Sequence, residues 1–137
     1  MSDEEKKTKE YIRVRDVMTP AIETIDGLAT VADAIKTMKE KRYGALIVAK
    51  RDDSDEYGFV TVQEIAREVI EKNLSPERVN VYEIMKKPVL TVHGDMNIRY
   101  AIRLLDQVNL NRALVISNAQ AVGIVTMYDM VMHYMNN

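Results

Sequence analysis

Thr126 and Asp129 are the two residues of this chain whose types and spacing best suit the binding of a small ligand. The pattern places Thr126 at the end of a strand and Asp129 in the first turn of the following helix. A carboxylate there can accept two hydrogen bonds from a vicinal diol such as that of a ribose. The hydroxyl and the free amides of the helix start favour a phosphate. The spacing indicates either a ribose-and-phosphate site or a helix cap.

A matching pair, Thr61 and Glu64, lies in the first half of the chain. Glutamate is longer than aspartate by one methylene, which displaces the carboxylate by about 1.5 Å, one C–C bond. That displacement is unfavourable for holding a diol, so the capping interpretation is favoured for this pair. We therefore expect two unequal sites.

Two basic residues are candidates for phosphate binding. Arg112 immediately precedes a buried strand, and its guanidinium can contact a phosphate through two hydrogen bonds. An ordinary surface ion pair is the alternative role for Arg112. Lys86 is the weaker candidate and is expected to be solvated.

Other chemistries find little support in the sequence. The chain has no cysteine, and His93 and His133 stand in no paired metal-binding spacing, so we predict no metal site. A serine–histidine–aspartate signature, a phosphate-binding glycine loop and a dinucleotide fingerprint are all missing. We predict that the protein is not an enzyme.

The composition is that of a globular protein with balanced charge. The chain has 137 residues, of which 47% are hydrophobic and 29% charged, with a net charge of −2. This balance gives no general attraction to nucleic acid or to an anionic membrane, so neither is an expected partner. The first residues, Met-Ser-Asp-Glu-Glu-Lys-Lys, do not resemble a secretory signal, and we expect a cytoplasmic location.

The positions of these residues follow from an internal repeat. The segment 14–19 (VRDVMT) returns as 81–86 (VYEIMK), and 58–65 (GFVTVQEI) returns as 123–130 (GIVTMYDM). Each half reads as strand, helix, strand, strand, helix. The halves differ mainly in the turn at 50–56, which is three residues longer in the first. Such length changes belong in loops.

The repeat also predicts the domain organisation. We expect a polar tail at 1–10, a first unit at 11–73 and a second unit at 74–137. The fold class is mixed α/β (α+β), with two βαββα units related by a pseudo-twofold axis in one compact module.

Tandem units with this element order and these two paired motifs resemble a pair of cystathionine-beta-synthase (CBS) domains, also called a Bateman module. The resemblance extends over roughly residues 14–134. It implies that each ligand lies in a cleft between the units, with the Thr and the acidic residue from one unit and an adenine-facing segment from the other. It also implies a phosphate-binding role for Arg112.

The resemblance assigns residues to two clefts. The main cleft is formed by Thr19, Pro20, Ala21, Ile22, Gly44, Ala45, Arg112, Thr126 and Asp129. The second and weaker cleft is formed by Thr61, Glu64, Lys86, Pro88, Val89 and Asn111.

The function implied is a regulatory sensor that binds AMP, ADP or ATP and acts in trans on an unknown protein. The resemblance also implies a homodimer formed through the second helix of each unit, at 62–70 and 127–135. Two alternatives remain open. The ligand could be S-adenosylmethionine or another adenosyl compound, or the chain could be a structural dimerisation module with empty clefts.

Overall fold

The computed structural model describes residues 11–20 and 23–135. The predicted tail at 1–10 and the predicted site residues Ala21 and Ile22 lie outside them. The chain divides into two compact units. We call residues 23–89 the central unit, and the described residues 11–20 together with 90–135 the split unit.

The described elements follow the predicted order closely. The strands are β1 (Thr19–Pro20), β2 (Thr24–Ile25), β3 (Ala45–Val48), β4 (Gly58–Thr61), β5 (Thr91–His93), β6 (Arg112–Ser117) and β7 (Gln120–Thr126). The helices are α1 (Val14–Val17), α2 (Val31–Lys41), α3 (Val62–Ile65), α4 (Ile98–Gln107) and α5 (Met127–Met135). A π-helical turn, Ala66–Ile70, extends α3, and a 3-10 turn spans Val81–Glu83.

Each unit contains one sheet. The central sheet has the order β2-β3-β4, and the split sheet has the order β1-β7-β6-β5. In both, the first strand of the repeat pairs in parallel with the second, and the second and third form an antiparallel hairpin. Mixed α/β class and the strand–helix–strand–strand–helix order are therefore confirmed for both halves.

Local sequence explains where the long helices begin. The Thr30 hydroxyl accepts a hydrogen bond from the Asp33 amide, and the Asp33 carboxylate accepts one from the Thr30 amide. This reciprocal capping box satisfies two amides that a helix start leaves free. Asn97 caps α4 through its side-chain oxygen. The buried faces of α2 and α4 then pack on the sheets at helical spacing.

The opening segment of each repeat belongs to the unit that contains the other repeat. Val14 and Val17 are buried in the core of the split unit with β5, β6 and β7. Val81 and Ile84 are buried in the core of the central unit with α2 and β3. Backbone hydrogen bonds fix both segments, since the Arg15 amide donates to Gly94 and the Tyr82 amide to Gly27. The compact units are thus offset from the repeat boundary expected between 73 and 74.

Candidate functional site

The junction between β7 and α5 holds the predicted ribose-binding pair. The Asp129 amide donates a hydrogen bond of 3.0 Å to the Thr126 hydroxyl oxygen, so Thr126 caps the helix. Both residues are half-buried. Among residues 11–20 and 23–135, nothing hydrogen-bonds or ion-pairs with the Asp129 carboxylate. The junction therefore presents a carboxylate with its acceptor positions open.

Arg112 lies next to this junction. In the antiparallel pairing of β6 and β7, Arg112 stands opposite Thr126. The side chain is half-buried and forms no ion pair within the described part of the chain. The preceding residue, Asn111, accepts the Met127 amide through its carbonyl at 2.9 Å, which fixes the start of α5 beside β6. The surface ion pair that we considered for Arg112 is not formed with any described residue.

Strand β1 brings the opening segment of the first repeat to the same sheet. Thr19 pairs with Ile124 and Pro20 with Gly123. A side chain at Gly123 would force the backbone to shift, because its Cβ would lie 2.6 Å from the Thr19 carbonyl oxygen. Glycine is therefore what allows this close approach. The split unit thus contains these predicted site residues together: Thr19, Pro20, Asn111, Arg112, Thr126 and Asp129.

At the equivalent junction of the central unit, the acidic side chain is hydrogen-bonded to the capping threonine. The Glu64 carboxylate accepts hydrogen bonds from the Thr61 hydroxyl at 2.7 Å and from the Thr61 amide at 3.0 Å. Thr61 and Glu64 are 7% and 5% exposed. The capping interpretation favoured for this pair matches the geometry, and the carboxylate has little capacity left for a ligand.

The remaining predicted residues of the second cleft also lie in the central unit, except for Asn111. Lys86 exchanges two backbone hydrogen bonds of 2.9 Å with Phe59, next to β4. Pro88 is exposed and follows a cis peptide bond, and Val89 is half-buried. The unit boundary falls directly after Val89.

Gly44 and Ala45, assigned from the sequence to the main cleft, lie beside Thr61 in the central unit. Ala45 pairs with Thr61, and the Gly44 carbonyl accepts the Val62 amide at 3.1 Å. Gly44 is thus the counterpart of Asn111, whose carbonyl accepts Met127. Gly44 and Ala45 thus belong to the central unit and Asn111 to the split unit, and their assignment to clefts between the units stays a prediction.

The sequence did not identify a cavity of about 620 Å³ in the central unit. The charged turn at 50–56 contributes Lys50 and Arg51 to its lining, with Tyr82 and Lys87 from the opening segment of the second repeat. The signal of this cavity in the sequence was the three additional residues of the turn at 50–56. Neither their role nor the position of Tyr82 could be read from local patterns.

The family model of the CBS domain matches residues 14–71 and 81–136, most of the chain. The chain therefore belongs to the CBS domain family and contains two copies of the domain. Such a tandem pair is a ligand-binding regulatory module.

Two solved structures are similar to this chain. A hexameric CBS-CP12 protein from bloom-forming cyanobacteria is 38% identical, with a TM-score of 0.84, and the match covers 89% of this chain and 71% of that one. The CBS domain pair of protein MJ0100, solved with 5′-methylthioadenosine and S-adenosyl-L-methionine, is 21% identical with a TM-score of 0.76. That match covers 92% of this chain and 98% of the other, and it shows the shared fold alone.

One curated relative is the uncharacterized protein MK0525 of Methanopyrus kandleri. It is 27% identical over 103 residues, which are 74% of this chain and 52% of that protein. This chain therefore spans about half the length of that relative.

Within the described ranges, no three His, Asp or Glu side chains are grouped so that they could hold a metal ion. None of the described helices combines the length and apolar character needed to cross a bilayer.

Proposed function

We propose that this protein is a sensor of adenine nucleotides, AMP, ADP or ATP, which bind the split unit at Thr126, Asp129 and Arg112. The observation that carries the proposal is the half-buried Asp129 carboxylate without a described partner. A carboxylate that accepts hydrogen bonds from both hydroxyls of a ribose gains charge-assisted bonds, which are stronger than neutral ones.

Side-chain length does not explain the open carboxylate. Thr30 and Asp33 have the same residue types at the same spacing, and there the aspartate closes the capping box at 3.1 Å. Asp129 does not close the corresponding box on Thr126, although its amide is capped in the same way. The carboxylate is available for a ligand hydroxyl instead.

The other groups of the split unit fit the rest of a nucleotide. Arg112, opposite Thr126, supplies a guanidinium for phosphate. The first turn of α5, a helix of nine residues, adds amide donors and the positive end of the helix dipole. Pro20 on β1 offers an apolar surface for a purine ring. No chemical step is proposed for the bound nucleotide.

The regulatory part of the proposal is thermodynamic linkage. A nucleotide shifts the equilibrium between two conformations, or two assembly states, only by its difference in affinity for them. We propose that a partner protein in trans responds to that shift.

Self-association is part of the proposal. Val131, Tyr134 and Met135 on α5 are exposed, whereas Met130 on the same helix is fully buried in the core. These exposed residues lie on one of the two helices through which the homodimer is expected to form, and their side chains are available to contact a second copy. Size-exclusion chromatography with light scattering, with and without AMP, should report a dimer. A monomer at all concentrations contradicts this part.

S-adenosylmethionine is the second candidate ligand, because the CBS domain pair of protein MJ0100 was solved in complex with it and with 5′-methylthioadenosine. The ribose site would be the same, but the compound has no phosphate for Arg112. An Arg112→Gln variant should therefore weaken AMP binding by about 10- to 100-fold, since a hydrogen bond to a charged group is worth about 1.5–3 kcal/mol. It should leave S-adenosylmethionine nearly unchanged.

The decisive experiment is isothermal titration with AMP, ADP, ATP and S-adenosylmethionine. The matched control is 2′,3′-dideoxy-AMP, which keeps the adenine and the phosphate but has no diol. We expect binding of at least one adenine nucleotide and a loss of 10-fold or more without the diol. Equal binding of AMP and its dideoxy form contradicts the role of Asp129. Absence of binding by every adenosyl compound supports a purely structural module.

A further inference from the structure

The central unit contains a cavity that the nucleotide site does not use. It has a volume of about 620 Å³, within the usual range for small-molecule sites. Its lining consists of residues 26–28 and 48–51 together with Tyr82, Met85 and Lys87.

The cavity lies at the end of the central sheet that is farther from Thr61. Strand β3 pairs Ala45 with Thr61 at one end and Val48 with Gly58 at the other, and the cavity is lined from Val48 onward. Three residues of extended strand separate these ends by roughly 10 Å. A ligand here would not compete with the helix-capping Thr61 and Glu64.

Three cations line the cavity, and an anchored loop holds two of them. The Asp55 side chain is 7% exposed and forms ion pairs with both Lys87 and Arg51. Hydrogen bonds from the Lys87 ammonium and the Arg51 amide hold the pKa of Asp55 well below its usual range. Asp55 is therefore charged at neutral pH, and its ion pair links the turn at 50–56 to Lys87.

The third cation is not paired with a carboxylate. The Lys50 ammonium lies 5.0 Å from the centre of the Tyr57 ring, a cation–π contact that holds it beside the cavity. None of the described carboxylates forms an ion pair with Lys50. The lining thus carries three cations, against Asp26 in the lining and Asp55 beside it.

The rest of the lining is apolar and accessible. Leu28 is 75% exposed and Tyr82 is 51% exposed, so both of these lining side chains are accessible to a ligand. Val48, Ala49 and Met85 form the inner surface. An apolar body can therefore contact Tyr82 and Leu28 while an anionic group reaches the lysines.

The equivalent position of the split unit has charged side chains in place of the exposed apolar ones. The Tyr82 amide donates to the Gly27 carbonyl, and at the equivalent place the Arg15 amide donates to the Gly94 carbonyl. In the split unit Arg15 and Asp95 stand where the central unit has Tyr82 and Leu28. They form an ion pair of 2.8 Å. The two units share this backbone frame and differ in the two side chains at its mouth.

We propose that this cavity of the central unit is a second binding site, for a small organic anion with an apolar or aromatic body and a phosphate or carboxylate group. The anion contacts Lys50 and Lys87, and the body lies against Tyr82 and Leu28. The site is independent of nucleotide binding at Asp129.

The test is a ¹⁵N-resolved NMR titration with phenyl phosphate, which has both an aromatic ring and an anionic group. Inorganic phosphate and phenol are the two control probes, each with one of these features. We expect phenyl phosphate to shift the amide signals of Gly27, Leu28, Ala49 and Tyr82. It should bind at least 10-fold more tightly than either control.

The variant that tests the location is the double substitution Leu28→Asp with Tyr82→Arg, which installs the ion pair of the split unit. Both side chains are exposed, so the fold should be retained, and the dispersion of the amide spectrum verifies it. We expect phenyl phosphate to bind at least 10-fold more weakly. Lys50→Gln should weaken it by about 10- to 100-fold, the value of one charge-assisted hydrogen bond.

A matched control replaces Arg15 by Tyr and Asp95 by Leu in the split unit, which should leave binding to the central cavity unchanged. The proposal is wrong if phenol binds as tightly as phenyl phosphate, or if the double variant keeps full affinity. It is also wrong if the shifted signals lie around Thr126 and Asp129 instead. Because AMP titrations monitor those residues separately, failure here is distinguishable from failure of the nucleotide proposal.

Discussion

The strand-to-helix junction occurs twice in this molecule, and its two copies use an acidic side chain in opposite ways. At Thr61 the Glu64 carboxylate is buried and accepts both the amide and the hydroxyl of the capping threonine. At Thr126 only the amide of Asp129 is capped, and its carboxylate is half-buried without a described partner. One copy is complete as local structure, and the other has an open acceptor.

This difference separates a structural role at Glu64 from the binding role that we propose for Asp129. A capping box needs a carboxylate that turns back to its own helix start. A ligand site needs a carboxylate that is positioned but not used. Asp33 closes the capping box with Thr30, which shows that the residue type alone does not decide between the two roles.

The largest expected effect concerns the glycine that precedes each junction. A Cβ on Gly123 would lie 2.6 Å from the Thr19 carbonyl oxygen, whereas one on Gly58 would lie 3.0 Å from the Lys86 carbonyl oxygen. We expect Gly123→Ala to lower the free energy of unfolding by about 3 kcal/mol and Gly58→Ala by about 1 kcal/mol, within the range for overpacking. Urea unfolding measures both. Equal losses would show that β1 and the Lys86 segment tolerate the added methyl group equally.

The second prediction concerns binding at the two acids. Asp129→Ala should weaken AMP by about 10- to 100-fold, because it removes charge-assisted hydrogen bonds worth about 1.5–3 kcal/mol. Glu64→Ala should change AMP affinity much less, since its carboxylate is occupied by Thr61. Isothermal titration compares them. Similar losses for both variants would overturn the ranking of the two junctions.

The third prediction concerns stability, for which we expect the larger effect at Glu64 and the smaller effect at Asp129. Glu64→Ala leaves the buried amide and hydroxyl of Thr61 without their acceptor, and we expect a loss of about 1–2 kcal/mol in the free energy of unfolding. Asp129→Ala, without ligand, should change it by less than about 0.5 kcal/mol. Glu64→Gln keeps one acceptor oxygen and should recover part of the loss in urea unfolding. A larger loss from Asp129→Ala would mean that its carboxylate stabilises the fold.

Local patterns in the sequence predicted much of this architecture. The apolar periodicity and the two repeated motifs located both β-hairpins, the long helices and both Thr-x-x-acid junctions. Patterns did not predict that Val14 and Val81 pack in the unit of the other repeat, because long-range pairing such as Thr19 with Ile124 determines that. Nor did they show which carboxylate is open, since the same spacing allows both arrangements. Patterns also did not predict the cavity beside Lys87, because the ion pair of Lys87 with Asp55 joins residues that are far apart in the sequence.

The smallest expected effect concerns the hairpin turns, which also differ between the units. The central hairpin has a long loop held by Asp55, whereas the split hairpin turns through Asn118 and Ala119, with φ of 51° and 61°. Positive φ at both central residues is typical of a type I′ turn, in which glycine is preferred at the second. An alanine in this region is strained by about 1–2 kcal/mol, and glycine loses about 0.5–1 kcal/mol more entropy on folding.

Ala119→Gly should therefore raise the free energy of unfolding by about 0.5–1 kcal/mol, the difference between these terms. The matched control is Ala66→Gly, at an exposed helical position with φ of −60°, where the same exchange should cost about 1 kcal/mol. Urea unfolding of both variants isolates the conformational term. If both variants lose the same free energy of unfolding, Ala119 is not strained in solution. Glycine then costs as much in the short turn of the split unit as it does in an ordinary helix.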